Sequence, residues 1–430
     1  MNLETDNKIQ KKGITLVIPN PCGNIKETKM KNSGIEWIGE IPDEWEVSKI
    51  GQLYEERKTK VSDTVYPPLS VTMQGILPQL ETAAKSDAHD DRKLVLKGDF
   101  VINSRSDRRG SCGISEFNGS VSLINTVLHP KNEMNPIYYN WLFHSFRFSD
   151  EYYKNGHGIV DDLWTTSWTE MKKIFIPLPP KETQQRIASY LDKKCSKIEE
   201  TIQKQQQVIE KLKAYKQSLI TEAVTGKVKI ENGKACGEYE SYKDSGVEWI
   251  GKIPSGWEIK KAKYFIKISN GSDPKTEEGD TPVYGSGAES FKTCVEFKEG
   301  PTVLIGRKGA TLHIPHYIEG NYWNVDTAFD VKTYSEEILL LKFYYYCATA
   351  FDYRFYLTST TLPSMTQTNY GNMYLPVPNT LVQKEIVEFL DNKYDAIDTA
   401  IEQKQKLIEK LTEYKKSLIY ECVTGKKEVN

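Results

Sequence analysis

The chain has 430 residues, 38% hydrophobic and 27% charged, which is typical of a globular protein and excludes a disordered one. At roughly 100–200 residues per domain, this length predicts two or three domains. The 57 Lys and Arg nearly balance 59 Asp and Glu, so the net charge of −2 excludes a protein that binds nucleic acid through its overall charge. Any such binding must rely on local basic residues or on a partner's positive charge.

The seven cysteines are widely spaced and include no C-x-x-C pair, which argues against a zinc site or a disulfide framework. This pattern favours a reducing, cytoplasmic location. The N-terminus lacks the apolar run of a signal peptide. The most apolar stretch, Ile338–Tyr346, is short and contains Lys342, so it predicts a core helix and no membrane span.

Two blocks of sequence occur twice. Ser33–Trp45 (SGIEWIGEIPDEW) matches Ser245–Trp257 (SGVEWIGKIPSGW) at nine of 13 positions. Val208–Lys227 matches Leu407–Lys426 at 14 of 20 positions. Each repeat thus has a constant start, a divergent middle and a constant end, which suggests one scaffold that presents two different surfaces.

The repeat predicts the domain organisation. An α+β fold is expected, with two globular domains joined by two long helices and related by a pseudo-two-fold internal repeat. Residues 1–32 are an N-terminal extension with no counterpart that can be aligned at 213–244. The predicted segments that follow are a first globular domain at 33–180, a central helix at 181–226, a linker at 227–244, a second globular domain at 245–378 and a C-terminal helix at 379–430.

The two middles share one recognisable element, a strand that ends in a turn containing Gly and basic residues. Val101–Arg105 aligns with Val303–Arg307, and Asn125-Thr126 aligns with Asp326-Thr327. Arginine can pair with guanine or clamp a phosphate, and glycine lets the backbone approach DNA closely. The candidate DNA-binding residues of these turns are Arg105, Arg108, Arg109, Arg307, Lys308 and Thr311.

The alternative interpretation is that these are ordinary surface turns, with Asp107 partly neutralising the arginines around it. The functional interpretation is favoured for Arg105 and Arg307, and the two interpretations are level for the rest. Weaker candidates are Gln74, Tyr284 and Ser286, in early loops that could reach a groove.

The helical ends carry matching apolar seams. Helix one is predicted from about Lys181 to Ala223, and helix two from about Val382 to Cys422. Spacings of three, four and seven residues indicate a coiled coil. The seam consists of Ile187, Leu191, Ile198, Ile202, Ile209, Leu212 and Leu219 in the first helix and of Ile386, Leu390, Ile397, Ile401, Ile408, Leu411 and Leu418 in the second.

We expect the two helices to pack on each other as an antiparallel coiled coil. About 40 residues at 1.5 Å each give a rod of roughly 60 Å, or one to two DNA turns. Alternatively, each helix packs onto its own globular domain. Gln205 and Lys404 interrupt the seam at equivalent places, where they either fix the register or are simply exposed.

The constant openings, the IPLPP and LPVP segments before the helices, and the endings L-x-x-Y-K-x-S-L-I-x-E-x-V-T-G-K resemble the specificity subunit of type I restriction–modification enzymes. The likeness covers about 33–428. It implies two target recognition domains, each reading one half of a bipartite double-stranded DNA target. It also implies helices that dock two methyltransferase subunits, to which restriction and translocase subunits are added. The resemblance places S-adenosylmethionine and ATP in those partners and no cofactor on this chain.

The sequence offers little support for a catalytic site. The nearest match to an adenine methyltransferase N/D-P-P-Y/F motif is Asn135–Tyr138, which lacks the second proline and looks like a helix start. No P-loop or H-E-x-x-H motif occurs, and His313 with His316 have no partners nearby in the sequence that complete a metal site.

Three hypotheses therefore stand: a non-catalytic DNA-recognition subunit, a coiled-coil scaffold that binds only proteins, and an enzyme with an unrecognised site. The shared basic turns favour the first over the second.

Overall fold

The computed structural model describes residues 29–79, 90–105, 108–158, 164–287, 289–357 and 363–429. The chain divides into two compact units, one formed by Met1–Ile198 with Thr412–Asn430 and the other by Glu199–Leu411. Each unit holds one globular domain together with segments of both long helices.

The globular part of the first unit is rich in short strands. Its elements are β1 (Met30–Asn32), β2 (Glu40–Pro42), β3 (Glu46–Lys49), α1 (Ile50–Leu53), β4 (Tyr54–Glu56), β5 (Lys60–Val61), β6 (Leu69–Thr72), β7 (Gly75–Pro78), β8 (Arg92–Val95), β9 (Phe100–Asn103), β10 (Cys112–Ile114), β11 (Gly119–Val121), β12 (Asn125–Pro130), α2 (Pro136–Phe143), α3 (Phe146–Lys154), α4 (Trp168–Met171) and β13 (Phe175–Leu178).

A four-stranded antiparallel sheet, in the order β10-β9-β12-β4, lies at the centre of this domain. Because alternate residues of a strand point to opposite faces, β9 contributes to two cores. Phe100 packs on Phe143 of α2, with ring centroids 4.5 Å apart. Val101 joins Val127 in a second cluster with residues of β6, β7, β8 and β11.

The second unit repeats this plan. Its globular elements are β14 (Lys229–Glu231), β15 (Lys234–Gly237), β16 (Tyr242–Asp244), β17 (Lys252–Pro254), β18 (Glu258–Lys261), a 3₁₀ turn (Ala262–Tyr264), β19 (Ile266–Asn270), β20 (Thr281–Tyr284), β21 (Lys292–Cys294), β22 (Thr302–Gly306), β23 (His316–Ile318), β24 (Trp323–Asn324), β25 (Ala328–Thr333), α6 (Leu341–Ala350), a 3₁₀ turn (Tyr353–Phe355), α7 (Gln367–Asn372) and β26 (Tyr374–Val377).

Its main sheet has the order β23-β22-β25-β19, which corresponds strand for strand to β10-β9-β12-β4. The smaller sheets differ. In the first domain β11-β8-β5 is antiparallel, whereas in the second β20 pairs parallel with β24. The two domains therefore share the four-stranded sheet and differ in their smaller sheets, as the divergent middles of the two repeats predicted.

The long helices are α5 (Lys181–Val224) and α8 (Thr380–Val423), each 44 residues long, which confirms both sequence predictions to within two residues at each end. Within the second unit they run antiparallel. Lys216 Nζ lies 2.7 Å from Asp398 Oδ1, and Lys404 Nζ donates to Gln205 Oε1 at 3.1 Å. The two residues that interrupt the seam therefore pair with each other.

The predicted seam residues are all buried or half-buried, and several of them belong to the core of the second domain. The buried seam residues are Ile187, Leu191, Ile198, Ile209, Leu219, Ile386, Leu390, Ile397 and Leu418. The half-buried ones are Ile202, Leu212, Ile401, Ile408 and Leu411. The alternative, in which each helix packs only on its own domain, is incorrect, because the helices contact each other.

The end of each helix packs on the constant opening of the other repeat. In the first unit, the Tyr420 hydroxyl donates to the Trp37 carbonyl at 3.1 Å, and Gly425 lies against Pro42 and Trp45. In the second unit, Gly226 lies in the same way against Pro254 and Trp257. Both glycines have positive φ, +72° and +71°, at the end of a helix, where glycine is favoured.

The structure gives the last residues of the 1–32 segment, for which no counterpart at 213–244 could be aligned, an equivalent strand in the second repeat. β1 pairs with β2 with Met30 opposite Pro42, and β16 pairs with β17 with Tyr242 opposite Pro254. Two strands that share only one identical residue, Lys31 and Lys243, thus fill the same place in the two repeats. In the described residues, no helix is long and apolar enough to cross a membrane.

Candidate nucleic-acid interface

The strand register shows which residues of the two turns are equivalent. Asn103 pairs with Asn125 in the first domain, and Gly306 pairs with Ala328 in the second. The sequence alignment of Val101 with Val303 is therefore off by one residue. A one-residue slip reverses the faces of a strand. In agreement, Val101 packs among residues of other strands of its domain, whereas Val303 belongs to a cluster that includes residues of α6.

The correct register changes the comparison of the basic residues. Arg105 forms an isolated antiparallel bridge with Thr165, and Lys308 forms the matching bridge with Ser364. Arg105 therefore corresponds to Lys308, while Arg307 occupies the place of Ser104. A basic side chain is kept at one position of both turns, although the sequence comparison had assigned it to the wrong residue in the second domain.

In the first domain the turn is anchored by its backbone. The Arg105 peptide N–H donates to Asn103 Oδ1 at 3.0 Å, and the Arg108 carbonyl accepts from Ser111 N at 3.0 Å and from the Tyr153 hydroxyl at 3.3 Å. Arg105 is half-buried and Arg108 is exposed. Because the backbone is fixed, the side chains extend from a defined base. Asp107, expected to neutralise the arginines, lies outside the described residues.

Arg109 is exposed but held by its own domain. Its guanidinium lies 5.1 Å from the centroid of the Tyr153 ring and 3.8 Å from Asp150 Oδ1. Exposed pairs of this kind are weak, so a phosphate could compete for Arg109. Arg108 is exposed as well.

The hairpin that carries Gln74 lies beside the arginine turn. It is exposed at the tip of the β6–β7 hairpin, where its N–H donates to Thr72 Oγ1 at 3.1 Å. The neighbouring Met73 is 72% exposed, and its Cε lies 4.0 Å from where a Cβ of Gly110 would be. The hairpin tip and the turn thus form one surface that carries amide, guanidinium and apolar groups.

In the second domain, two loops are joined directly. Thr311 Oγ1 donates to the Ser286 carbonyl at 2.9 Å. Gly309, with φ +117°, is so close that a Cβ would lie 3.0 Å from Ser286 Oγ. The predicted residues Ser286, Lys308 and Thr311 are therefore brought together around a nearly bare glycine backbone.

Arg307 and Tyr284 are placed less favourably for contact with DNA, because both side chains face other parts of their own domain. The Arg307 guanidinium lies over the Phe329 ring at 5.9 Å and donates to the Asp326 carbonyl at 3.4 Å. Tyr284 lines a cavity of about 670 Å³ with Tyr345 and Asp395, and neither Ser286 nor Thr311 lines this cavity. Within the second domain, Lys308 is thus the more exposed basic candidate.

Several positioning residues were not predicted from the sequence. Thr165 and Ser364 bridge the basic turns, and Thr165 also pairs with exposed His157. Buried Gln184 and Gln383 join the start of each long helix to its domain. The glutamines did leave a signal, since both stand at the fourth residue of their helices and match between the repeats.

The described residues offer no activated nucleophile at their most suggestive Cys–His contact. Cys112 Sγ lies 3.7 Å from His144 Nε2, but burial raises the pKa of the Cys112 thiol well above its usual range and lowers the pKa of His144. A buried, protonated thiol does not attack. No group of three or more His, Cys, Asp and Glu in the described residues could hold a metal.

The Asn135–Tyr138 segment has a structural role. Asn135 caps α2, its Oδ1 accepting from Ile137 N at 3.0 Å and Tyr138 N at 3.1 Å, and Pro136 is the first residue of the helix. This confirms the prediction of a helix start. Asn135 therefore caps a helix, and the segment is not the base-binding motif of an adenine methyltransferase.

Comparisons with known proteins agree with this architecture. The family model described as type I restriction modification DNA specificity domain matches residues 42–211 and 254–411. The MjaVIII type I restriction enzyme specificity subunit of Methanocaldococcus jannaschii is 28% identical over 252 residues, 55% of this chain and 53% of the relative. The putative MjaX specificity subunit of the same organism is 24% identical over 429 residues, covering 90% and 95%.

A solved structure concerning complex assembly and conformational transition of the type I R-M system matches with a TM-score of 0.69 at 14% identity. The match covers 90% of this chain and 99% of that one, and it supports the fold. The named relatives are specificity subunits, which are non-catalytic. Since the two matched regions cover well over half of the sequence, this chain belongs to the type I restriction–modification DNA specificity family.

Proposed function

We propose that this chain reads a bipartite double-stranded DNA target, one half-site per globular domain, for a type I restriction–modification complex. The carrying observation is that both domains build a basic turn on the same strand frame, with Arg105 and Lys308 at equivalent positions. The surroundings of these two residues differ, which is what two readers of different sequences require.

The chemistry of each surface suits a groove of DNA. In the first domain, Gln74 can pair with adenine, and Arg105 or Arg108 can pair with guanine or clamp a phosphate. In the second, Ser286 and Thr311 offer hydroxyl and backbone groups beside Gly309, while Lys308 supplies a positive charge. Phosphate contacts position the protein and base contacts specify the sequence.

The net charge of −2 bears on the partners. A specific protein–DNA complex needs many phosphate contacts, and few basic residues stand at these turns. We propose that two methyltransferase subunits dock on the constant helical segments and supply much of the positive surface, and that restriction and translocase subunits add to that core in the cytoplasm. S-adenosylmethionine and ATP then belong to those partners.

A test compares Arg105→Ala and Lys308→Ala in the assembled methyltransferase complex. Each variant is expected to weaken binding about tenfold and to impair recognition of one half-site only, measured by competition with DNA altered in either half. Loss of one phosphate contact also lowers the slope of log K against log salt by about 0.9. Arg307→Ala serves as a matched control with a smaller expected loss, because its guanidinium is engaged by Phe329 and Asp326.

A protein-only scaffold makes the opposite prediction. It would show no salt-dependent binding to DNA in the assembled complex, and neither substitution would change any half-site. A genome-wide map of methylated adenines in cells with and without the chain would also identify the DNA sequence that is recognised. Loss of one bipartite motif supports the proposal, and an unchanged map with active partner subunits contradicts it.

A further inference from the structure

The β6–β7 hairpin of the first domain and the β20–β21 hairpin of the second occupy the same place in the two domains. Pro68, just before β6, forms a parallel bridge with Ser120, and Val283 of β20 is the parallel partner of Trp323. Ser120 and Trp323 each stand five residues before the first residue of the next main-sheet strand, β12 or β25. The parallel contact is therefore equivalent in the two domains.

The bonds that close the two hairpins are equivalent as well. The Pro68 carbonyl accepts from Gln79 N at 3.1 Å, and the Val283 carbonyl accepts from Phe291 N at 3.2 Å. The segments between these bonds, 69–78 and 284–290, differ in length and sequence. The two domains therefore carry different tips on one kind of hairpin.

Both tips lie against the basic turn of their own domain. In the first domain, Met73 Cε lies 4.0 Å from the position that a Cβ of Gly110 would take, and a Cβ on Gly113 of β10 would lie 2.9 Å from the hairpin backbone. In the second domain, Thr311 Oγ1 donates to the Ser286 carbonyl at 2.9 Å. Each tip is thus placed to reach the same groove of DNA as the basic turn beside it.

The chemistry of the two tips differs. Met73 is 72% exposed and is followed by exposed Gln74, so the first tip presents a thioether chain beside an amide. An exposed side chain keeps most of its apolar surface available for a partner, and the flexible thioether adapts to the surface that it meets. In the second domain, the described residues that follow Tyr284 in the loop are small or polar, namely Gly285, Ser286, Gly287, Glu289 and Ser290.

We infer that Met73 contacts the 5-methyl group of a thymine in the half-site that the first domain reads. This inference rests on the proposed function and deepens it by naming one base. Thymine is the base that presents a methyl group in the major groove, and apolar side chains contact it there. Gln74 can pair with adenine in the same groove, so the tip combines groups that suit both bases of A·T pairs.

The test uses the assembled methyltransferase complex and duplexes that carry the target found by methylation mapping. Arg105→Ala identifies the half-site that the first domain reads. Each thymine of that half-site is then replaced singly by deoxyuridine, which removes only the methyl group. At one position the wild type should bind about fourfold more weakly, equivalent to about 0.8 kcal/mol. Met73→Ala should bind thymine and deoxyuridine at that position equally.

Matched variants show whether the effect belongs to Met73. Met73→Leu keeps an apolar chain and should retain the difference between thymine and deoxyuridine. Val65 is 70% exposed in the same domain but precedes β6, whereas the tip follows it. Val65→Ala should therefore leave both affinities unchanged. Circular dichroism melts of Met73→Ala should match the wild type, because the side chain is exposed.

The outcomes separate this inference from the proposed function. A deoxyuridine effect that persists in Met73→Ala overturns the inference, and so does a first half-site without an A·T pair. If Met73→Ala weakens both duplexes equally and the wild type unstacks a 2-aminopurine placed in the half-site, Met73 is a wedge between bases and the thymine contact is wrong. A wild-type complex that does not distinguish its target from DNA altered in either half overturns the proposed function itself.

Discussion

Gln383 is expected to be one of the most costly polar residues to replace in the second unit. Its side chain is fully buried, and it joins the start of α8 to the segment before α6. Oε1 accepts from Leu340 N at 2.9 Å, and Nε2 donates to the Ile338 carbonyl at 2.8 Å and to the Pro378 carbonyl at 2.9 Å. Gln383→Met keeps the shape of the side chain and removes all three bonds.

The magnitude follows from those bonds. Removing one partner of a buried hydrogen bond costs about 1–3 kcal/mol, and a partly exposed one costs about 0.5–1.5 kcal/mol because water can replace it. Only the bond to Pro378 is fully buried, so the expected total is about 3 kcal/mol. Gln184→Met in the first unit breaks two bonds, to Asn135 N and the Pro179 carbonyl, and should cost about 2 kcal/mol.

The assay is amide hydrogen exchange under native conditions, read separately for peptides of each unit. Gln383→Met should lower protection in the second unit and Gln184→Met in the first, with the larger effect for Gln383. As a control, Gln217→Met removes one exposed bond and should cost less than about 0.5 kcal/mol. A loss below about 0.5 kcal/mol for Gln383→Met would refute the claim that this side chain connects helix and domain.

Three further outcomes are expected. Gly226→Ala should cost about 3 kcal/mol in urea unfolding, because its Cβ would lie 2.5 Å from Pro254 Cδ; Gly233→Ala, with similar φ but open space, should cost about 1 kcal/mol, and equal costs would contradict the clash. Burial lowers the pKa of His144, so as the pH falls the unfolded chain takes up this proton before the folded chain does. The melting temperature should therefore decrease as the pH is lowered below about 6.5. In His144→Gln this part of the decrease should be absent, and a variant with the same pH profile as the wild type would contradict the prediction. One heptad inserted at equivalent points of α5 and α8 adds about 10 Å to each helix. Methylation mapping should then show that the unread gap between the two half-sites is about three base pairs longer. A gap of unchanged length would show that the helices do not set it.

The sequence by itself determined the repeat and the two long helices. These features rest on local periodicity and on identity between distant segments, both of which are visible in one dimension. The apolar spacing from Ile187 to Leu219 predicted the residues of the first helix that are buried or half-buried. The family resemblance followed from the same constant blocks.

Only the tertiary structure decided the equivalence of Arg105 with Lys308, the place of β1 and the roles of the buried glutamines. Strand register depends on which residues face which core, and a one-residue error in an alignment of short divergent strands leaves no trace in the sequence. The contact of Met73, the neighbour of Gln74, with Gly110 of the arginine turn, and that of Ser286 with Thr311, join segments more than 20 residues apart. Such contacts depend on how the sheets pack, because chain-distant loops meet only when the whole domain folds.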